Sequence, residues 1–521
     1  MRLTEHQRQE FENLLPWIRG EGGHFAKLKG SAGVGKTFTV NKLLQEVKKL
    51  TVTYKDPESK LMVSGAPRIC VTAPTHQAKK VIQKATEQVA RTIQSLLGLA
   101  PNTDIDNFDI NKPEFAIKNT PGMHKFDYIV IDEASMLNTM LKNMIVEMAK
   151  EHGVKLLFIY DEAQLAPVGE RKIPIEEMST PFFGHLKEVI RTGSDNPLME
   201  FLIDIRNNIT SGKDAFSHVS KFDNKGGMVF FRDRKEFEKR AVMRAYTTYR
   251  NGKPGEDKIL AYTNKRVSEL NLIVRSSIKL AEKLNDPIHN FFIPNEPIVS
   301  LKTIKDSIIV TSEEFVVENP EIGEEMFEYY LRDKETKVAN FVDVQYAHIK
   351  VINADIKVLG GNSKERVRFI LPEVENYKEF LKVFTWYHSL GKVDRNWDSF
   401  TDWKSGLFLI RELQDAKGKT VCSKDFDYAY ATTIHKSQGS TYTNIYLDEA
   451  DVDQIEDMRF CRFLYDIEKK KAAKQLLTLV EFEKNYPTFT DYYNFMQETK
   501  NRLKYVAMSR AKSFVVVNTR K

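Results

Sequence analysis

Residues 30–37 of the chain are Gly30-Ser31-Ala32-Gly33-Val34-Gly35-Lys36-Thr37, and this stretch indicates the fold of the domain around it. An apolar run from Phe25 to Lys29 precedes it, and a helical pattern begins near Thr37. Glycines at this spacing between a strand and a helix are typical of a phosphate-binding loop, whose backbone N–H groups turn inward around phosphate oxygens. Lys36 would place its charge on the β and γ phosphates, Thr37 would offer its hydroxyl to Mg²⁺, and the helix would present its positive end. The stretch predicts a nucleoside-triphosphate site in an α/β domain.

The same order of strand, loop and helix recurs through the first third of the chain. Further strands are predicted at Arg68–Ala73, Asp127–Ile131 and Lys155–Tyr160, and a helix at Gln77–Ala90. Such alternation is typical of a parallel sheet covered by helices, with ligands at the carboxyl ends of the strands. We assign residues 1–190 to this first domain.

A second α/β domain is predicted from residues 191–290 and 420–521. Its strands are expected at Met228–Phe231, Ile259–Thr263, Asn444–Leu447 and Ser513–Val517. Between its halves, residues 291–419 form an inserted domain, which begins with the β-rich runs Ser307–Thr311, His348–Val351 and Arg366–Ile370 and ends with a helical segment. That segment carries aromatic residues at helical spacing, which predicts a packing face: Tyr377, Phe380, Phe384 and Tyr387.

Composition indicates a globular chain without structural zinc or disulfides. The 521 residues are 41% hydrophobic and carry a net charge of +6, which is compatible with a polyanionic partner. Cys70, Cys422 and Cys461 lie far apart in the sequence and have no metal-ligand spacing. No leader and no membrane-length apolar run is seen, so we expect a cytoplasmic protein that does not enter a membrane.

A second acidic element completes the chemistry that the phosphate loop requires. The apolar run Ile129–Ile131 ends in Asp132 and Glu133. Asp132 would hold Mg²⁺ through its water shell, and Glu133 would orient or deprotonate the attacking water. The pair predicts hydrolysis of a nucleoside triphosphate.

Three further motifs indicate what the hydrolysis drives. Residues 160–169 place Gln164 at the end of a strand, where its amide can sense a γ-phosphate. Residues 505–512 offer Arg510 as an arginine finger from the second α/β domain, and residues 431–439 form a third motif. Together these motifs resemble superfamily 1 helicases of the RecD-like, 5′-to-3′ branch. Within that branch the chain resembles the Dda-type helicases of bacteriophages over almost its whole length, in features that include Leu3-Thr4-x-x-Gln7, residues 73–80, residues 262–265 and the pair Trp397 and Trp403.

The resemblance implies a fold, two cofactors and a set of roles. The fold would be two RecA-like parallel-sheet domains with an inserted β-hairpin pin and an inserted SH3-like β-barrel plus helical tower. The cofactors would be ATP and Mg²⁺. Gln7 would contact the adenine, and the phosphates and Mg²⁺ would lie against Gly33, Val34, Gly35, Lys36, Thr37 and Asp132. The γ-phosphate would be surrounded by Gln164, Arg191, Gly439 and Arg510.

The resemblance also implies a path for single-stranded DNA and a partner set. The DNA-contacting residues would lie at three strand ends: Pro74, Thr75 and His76; Thr263 and Asn264; and Thr433, His435 and Lys436. Small hydroxyls and backbone N–H groups suit phosphate contacts, so little sequence preference is expected. Taken singly, His76 and His435 fit capping or core histidines better than ligands. The expected partners are single-stranded DNA and fork duplex, with a single-strand-binding protein or other replication proteins as further candidates, and the expected state is a monomer.

The pin is expected at about residues 98–122, which interrupt the α/β alternation. Phe108 or Phe115 would lie at its tip, and a solvated loop with both rings folded back is the alternative. Two departures from the family are seen: Tyr160 replaces a common glycine, and about fifty residues separate Asp448 from Tyr505. This extra segment could cap the second domain, contact DNA or dock a partner.

Two other functions fit parts of the sequence. An RNA-directed helicase of the same superfamily would differ by contacts to ribose hydroxyls, which short motifs do not distinguish. A nucleic-acid clamp with a degenerate ATPase is the other, and the intact set of Lys36, Asp132, Glu133 and Arg510 argues against it.

Overall fold

The computed structural model describes residues 2–55, 61–99, 120–167, 169–188, 196–209, 216–304, 307–332, 339–414, 420–473 and 476–520. Arg191 and residues 100–119 of the predicted pin, with Phe108 and Phe115, lie outside the described residues. By compactness the chain divides into two units. Unit 1 comprises Met1–Phe237, Ile259–Val267 and Thr432–Lys521, and unit 2 comprises Glu238–Lys258 and Ser268–Ala431. Both parallel sheets belong mainly to unit 1, so this division does not follow the boundary predicted near residue 190.

The helices and strands were numbered in chain order. Those up to residue 188 are α1 (Glu5–Glu12), α2 (Leu15–Arg19), β1 (Phe25–Gly30), α3 (Lys36–Val47), β2 (Val52–Lys55), β3 (Met62–Gly65), β4 (Ile69–Thr72), α4 (His76–Thr86), β5 (Val89–Ala90), α5 (Ile93–Leu97), β6 (Tyr128–Ile131), α6 (Thr139–Glu151), β7 (Lys155–Tyr160) and β8 (Phe182–Leu186). Those from residue 196 to 332 are α7 (Leu198–Asn208), β9 (Lys221–Phe222), β10 (Gly227–Phe231), α8 (Arg234–Arg250), β11 (Lys258–Ala261), α9 (Asn264–Ala281), β12 (Glu296–Ser300) and β13 (Glu314–Arg332). The remainder are β14 (Ala339–Val358), β15 (Lys364–Ile370), α10 (Val374–Val393), α11 (Trp397–Ser405), β16 (Leu413–Gln414), β17 (Thr420–Cys422), β18 (Phe426–Tyr428), β19 (Ala431–Thr433), β20 (Tyr442–Asp448), α12 (Glu449–Val452), α13 (Met458–Ala472), α14 (Leu476–Asn485), α15 (Phe489–Ser509) and β21 (Ala511–Asn518).

The first sheet of unit 1 is parallel throughout, as the strand–helix alternation predicts. Its strand order is β5-β4-β6-β7-β1-β8, and each neighbouring pair runs parallel. Strands β4 and β6 are buried at every residue, because helices cover both faces of such a sheet. Since β6, β7 and β1 are neighbours, the loops that follow them emerge side by side at one edge.

Helix α4 is shorter than the predicted Gln77–Ala90. Thr75 caps its start by accepting a hydrogen bond from the Ala78 N–H, and Glu87 ends it in the left-handed conformation, with φ +54°. The chain then returns to the sheet as β5, where Val89 pairs beside Cys70 at the edge. The apolar residues that extended the helical pattern belong to this edge strand.

The second sheet has the order β19-β11-β20-β21-β10-β9. Strand β21 runs parallel to both β10 and β20, and the two-residue strand β9 is antiparallel at the edge. All four strands predicted for this domain are therefore confirmed within a few residues. The parallel-sheet, RecA-like α/β core expected from the sequence is present.

The extra segment between Asp448 and Tyr505 caps the core of the second sheet. It forms α12, α13, α14 and most of α15, and its buried aromatic residues belong to the same apolar cluster as Val515 and Val517 of β21. Among them, Tyr465, Tyr486 and Tyr492 pack ring against ring at 5.2–5.3 Å. Of the three roles that the sequence left open, packing is the one observed.

Unit 2 contains an antiparallel sheet, and two helices pack against its two longest strands. The strand order is β15-β14-β13-β12-β18, and β13 and β14 form a long hairpin. Helices α10 and α11 share a core with that hairpin, which contains Phe380 and Trp403 and is lined by Tyr377, Phe384 and Tyr387. The predicted aromatic packing face is confirmed.

The strand predicted at Ser307–Thr311 is absent. Glu365 accepts hydrogen bonds from the Ser307 hydroxyl at 2.7 Å and from the Ile308 N–H at 3.1 Å, and the Ile309 N–H donates to the Ser307 oxygen. Side-chain oxygens thus satisfy the backbone donors that a strand would pair in a ladder. Ile309 of this run is fully buried and packs in the apolar core of unit 2.

All three cysteines lie in the described residues. Cys70, Cys422 and Cys461 are buried free thiols, and burial raises the pKa of Cys70 to about 12. No described helix has both the length and the apolar character that a membrane span requires.

A cluster of buried charges fixes α12 to α15. Lys504 is fully buried and contacts the Glu449 carboxylate, and its Nζ lies 2.9 Å from Asp453 Oδ1. His218 Nε2 lies 3.1 Å from a second oxygen of Glu449. The Glu449 pKa is lowered by its contacts with His218 and Lys504, against the opposing effect of burial. The Lys504 ammonium thus lies against two buried carboxylates.

Replacing Lys504 with alanine should lower the free energy of unfolding by about 3–5 kcal/mol, because a buried carboxylate would lose its partner. Urea unfolding followed by circular dichroism would measure this loss. The matched control is Lys470→Ala on the exposed face of α13, which should change stability by less than about 0.5 kcal/mol. Equal midpoints for the two variants would contradict a stabilising role for the cluster.

Candidate functional site

The three loops that follow β1, β6 and β7 form one site at the edge of the first sheet. Gly30 ends β1, Asp132 follows β6 and Asp161 follows β7. Because parallel strands end at the same edge, their neighbouring positions bring these loops together.

The phosphate loop has the backbone that its glycines allow. Gly33 and Gly35 adopt φ +84° and +82°, in the left-handed region, and a Cβ on Gly35 would lie 2.4 Å from Gln7 Nε2. Lys36 Nζ donates to the carbonyl oxygens of Gly30 at 2.7 Å and Ser31 at 3.1 Å. A flexible ammonium across the loop and a helix starting at Lys36 fit the phosphates of a nucleotide.

Gln7 is tied to this loop from α1. Its side chain and Thr4 form a capping box, and its Nε2 donates to the Val34 carbonyl oxygen at 3.1 Å. Gln7 is buried, and its hydrogen bond to Val34 helps to hold the backbone of the phosphate loop in place.

Asp132 and Glu133 stand next to the loop with contrasting surroundings. Asp132 accepts from the Glu133 N–H at 2.9 Å, and Glu133 itself has φ +50°, a strained conformation for a residue with a side chain. Burial, and then the charge of Glu133, raise the Asp132 pKa to about 6, while Lys36 and Arg510 act in the opposite direction. A half-buried carboxylate, together with the threonine hydroxyl that follows the phosphate loop, offers hard oxygen ligands of the type that Mg²⁺ prefers.

Gln164 connects the acidic pair to the rest of the site. Its Nε2 donates to Glu133 Oε2 at 2.9 Å, and its Oε1 accepts from the Ser135 hydroxyl at 3.3 Å and from Gln438 Nε2 at 3.5 Å. The side chain is almost fully buried. Gln164 therefore joins the β6 loop of the first sheet to the motif that contains Gln438.

Arg510 reaches the same glutamate from the end of α15. Its Nη1 lies 3.4 Å from Glu133 Oε1, and its Nε and Nη2 donate to the Ser509 hydroxyl oxygen at 3.1 and 2.9 Å. The guanidinium is thus held in place beside the predicted water-activating carboxylate. The structure brings Lys36, Asp132, Glu133, Gln164 and Arg510 together.

Three residues make contacts in this site that sequence reasoning missed. The Tyr505 hydroxyl accepts from the Ala32 N–H and donates to Asp161, Arg206 Nη1 donates to the Ser31 hydroxyl at 2.9 Å, and Arg502 donates to carbonyl oxygens of residues 162 and 164. Tyr505 lies in the motif of residues 505–512, in which only Arg510 was assigned a role. Arg206 lies on α7, where the amphipathic pattern gave no sign of a polar role.

Thr75, which caps the start of α4 and was predicted to contact DNA, lies next to Gly439 of the third motif. A Cβ on Gly439, whose φ is +77°, would lie 2.8 Å from Thr75 Oγ1 and 2.7 Å from Ala78 Cβ. Gly439 was predicted at the γ-phosphate, whereas the atoms nearest to such a Cβ belong to the start of α4, on the predicted DNA path. Its lack of a side chain lets the two loops approach closely.

The two candidate histidines differ in their surroundings. Burial, followed by the charges of Lys79 and Lys80, lowers the His76 pKa to about 4, so this ring is neutral at physiological pH. His435 is exposed, and its ring lies 6.1 Å from the Tyr262 ring, centroid to centroid. His76 therefore offers hydrogen-bonding groups, but no positive charge, to a nucleic acid.

At the other two strand ends, the predicted DNA-contacting residues make hydrogen bonds within the protein. The Thr263 N–H donates to Asp451 Oδ2 at 2.7 Å, as does the Tyr262 N–H at 2.8 Å, and the Thr263 hydroxyl shares the same carboxylate. Asn264 is the first residue of α9, and the Thr433 hydroxyl oxygen accepts from the Lys436 N–H at 3.3 Å. Asp451, which lies in the extra segment, was not predicted to contact this motif.

Comparisons with known proteins agree with the motifs. The family described as an AAA domain matches residues 2–228. The chain is 26% identical over 469 residues to the ATP-dependent DNA helicase Dda of enterobacteria phage T4, covering 85% of this chain and 92% of that protein. It is 22% identical over 502 residues to the uncharacterized protein R530 of Acanthamoeba polyphaga mimivirus, covering 86% and 93%. A crystal structure of Pif1 helicase from Candida albicans matches at TM-score 0.43 and 17% identity, covering 100% and 95%. The resemblance to Dda-type helicases is confirmed over most of the chain.

Arg510→Ala should lower kcat for nucleoside-triphosphate hydrolysis by about 10³-fold or more while nucleotide binding is largely kept, since an arginine finger acts on charge that develops during transfer. Steady-state turnover and the affinity for a fluorescent nucleotide would measure the two effects. Arg459→Ala, on the exposed start of α13, is the matched control. A wild-type kcat in Arg510→Ala would remove this residue from the reacting centre.

Proposed function

We propose that this chain is an ATP-dependent DNA helicase of the Dda type, in superfamily 1, which moves 5′ to 3′ on single-stranded DNA and separates duplex. The observation that carries the proposal is the meeting of Arg510 and Gln164 on the carboxylate of Glu133 beside the phosphate loop. The similarity to the phage T4 helicase supports the DNA substrate and the use of ATP.

The residues around the phosphate loop would carry out the hydrolysis of ATP. Lys36 would leave the carbonyl oxygens of Gly30 and Ser31 and bind the phosphates, because a charged acceptor makes a stronger hydrogen bond than a carbonyl does. Mg²⁺, held by the Thr37 hydroxyl and Asp132, would neutralise charge on the phosphate oxygens. Glu133 would accept a proton from the attacking water, and Gln164 fixes the orientation of that carboxylate.

The link from ATP to DNA lies in two consecutive residues. Gln438 Nε2 contacts Gln164, on the nucleotide side, while Gly439 lies against Thr75, at the start of the proposed DNA path. A shift of the γ-phosphate sensed by Gln164 would therefore move the loop that packs on α4. This adjacency supports a motor in which hydrolysis changes the grip on DNA.

The path of the single strand is proposed to follow Pro74, Thr75 and His76, then Thr263 and Asn264, then Thr433, His435 and Lys436. Small hydroxyls and N–H groups at these positions suit contacts to phosphates. The neutral state of His76 favours positioning over charge neutralisation at this strand end. Base-specific recognition is not expected from this set.

The finer architecture is proposed from the resemblance. Residues 1–190 and the pair 191–290 and 420–521 would be the two RecA-like domains, and residues 291–419 would be the SH3-like barrel with its helical tower. The pin would lie at about 98–122, with Phe108 or Phe115 at its tip, and Arg191 would contact the γ-phosphate. We place the protein in the cytoplasm as a monomer, with single-strand-binding or other replication proteins as its candidate partners.

Unwinding should depend on the polarity of the loading strand. A duplex with a 5′ single-stranded tail should be separated when ATP and Mg²⁺ are added, and a duplex with only a 3′ tail should not, because the motor approaches the fork from its 5′ side. Lys36→Ala is the control: its fold should be kept while turnover and unwinding are lost. Preferential unwinding of the 3′-tailed duplex would contradict the proposed direction.

Binding to single strands should weaken steeply with salt and depend little on sequence. Counterion release predicts a slope of log affinity against log salt of roughly −0.7 for each phosphate contacted. Fluorescence anisotropy with two labelled oligonucleotides of equal length and different sequence, titrated at several salt concentrations, would measure both quantities. A strong preference for one of the two sequences would contradict binding through phosphates.

A further inference from the structure

The first half of the phosphate loop is held by a tyrosine hydroxyl from a distant part of the chain. The Ala32 N–H donates to the Tyr505 hydroxyl oxygen at 3.1 Å, and Tyr505 is only 1% exposed. Two residues of the same half, Gly30 and Ser31, give their carbonyl oxygens to Lys36. The position of this half therefore depends on Tyr505 and, when no phosphate is bound, on Lys36.

The same hydroxyl also holds the loop that carries Gln164. The Tyr505 hydroxyl donates a hydrogen bond to Asp161 Oδ2 at 2.7 Å, and Asp161 Oδ1 accepts one from the Ala163 N–H at 3.0 Å. Asp161 is 1% exposed. One hydroxyl thus bridges the loop after β1 and the loop after β7, accepting from the first and donating to the second.

Helix α15 contacts this region at three points. Arg502 donates to the carbonyl oxygens of Glu162 and Gln164, Tyr505 lies less than one turn further along, and Arg510 ends the helix beside Glu133. The helix that carries the arginine finger is therefore attached to the Gln164 loop before it reaches the reacting centre. Any displacement of the Tyr505 contact would be transmitted to Arg510 along a continuous helix.

We propose that Tyr505 is a positioning residue, whose hydroxyl sets the spacing between the phosphate loop and the Gln164 loop and so aligns Arg510 and Glu133 for hydrolysis. The inference rests on the proposed function of this site. Without the hydroxyl, the Ala32 N–H and one oxygen of Asp161 would be left without this partner where water has little access, and both loops would shift to satisfy them. Alignment would be lost although every residue that contacts the nucleotide is still present.

The test is Tyr505→Phe, which removes one oxygen and keeps the ring. We expect kcat for ATP hydrolysis to fall about tenfold, equivalent to about 1.4 kcal/mol, while KM for ATP changes less than about twofold. Tyr492→Phe is the matched control, since its hydroxyl is also buried on α15 but its ring packs against Tyr465 and Tyr486 in the helical cap. This control should keep the wild-type kcat.

A double-mutant cycle separates positioning from a general loss of stability. Asp161→Asn keeps the shape of the acceptor and weakens the same hydrogen bond, so it should lower kcat in the parent but add less than about a twofold loss when combined with Tyr505→Phe. Losses that multiply in the double variant would overturn the proposal, as would a kcat for Tyr505→Phe within twofold of the parent. A parent protein without ATPase activity would instead contradict the proposed function.

Discussion

The carboxylate of Glu133 is the point on which the proposed chemistry of unit 1 depends. It follows β6 of the first sheet, it accepts from Gln164 of the neighbouring β7 loop, and it faces Arg510 from the helix that leads into β21 of the second sheet. This half-buried anion therefore takes donors from two distant parts of the sequence. Its left-handed backbone conformation indicates that the surrounding structure holds it in place at an energetic cost.

The arrangement around this carboxylate follows from the order of the strands. Because β6, β7 and β1 are parallel neighbours, the acidic pair, the Gln164 loop and the phosphate loop must emerge at the same edge. The motif with Gln438 and Gly439 then lies between this edge and the start of α4. This common edge is the physical reason why the proposed nucleotide sensor and the proposed nucleic-acid contact can share one short segment.

Much of this arrangement could be predicted from the sequence, because its causes are local. Buried parallel strands are short apolar runs, and a phosphate loop requires glycines at fixed spacing, so β1, β6, β7 and the loop itself were expected with nearly correct bounds. Two predictions were wrong: α4 ends earlier than expected, and the strand expected at 307–311 does not form. There, a left-handed Glu87 and a distant Glu365 outweigh the local apolar pattern.

The contacts of Tyr505, Arg206 and Asp451 could not be predicted, for a different reason. Each joins residues that are between 175 and 473 positions apart, and a tyrosine, an arginine or an aspartate on a helix carries no local sign of its partner. The roles assigned to Gln7, Gly439 and Arg191 rest on the resemblance alone. The structure adds to them that Gln7 shapes the loop and that Gly439 allows a close approach to Thr75.

The proposed site would couple hydrolysis of ATP to a single strand of DNA. Steady-state ATP hydrolysis by the full chain, measured without nucleic acid and then with single-stranded DNA or RNA of the same sequence, tests this coupling. We expect DNA to increase kcat severalfold or more and RNA to have a much smaller effect. A rate of hydrolysis that does not change when single-stranded DNA is added would contradict it.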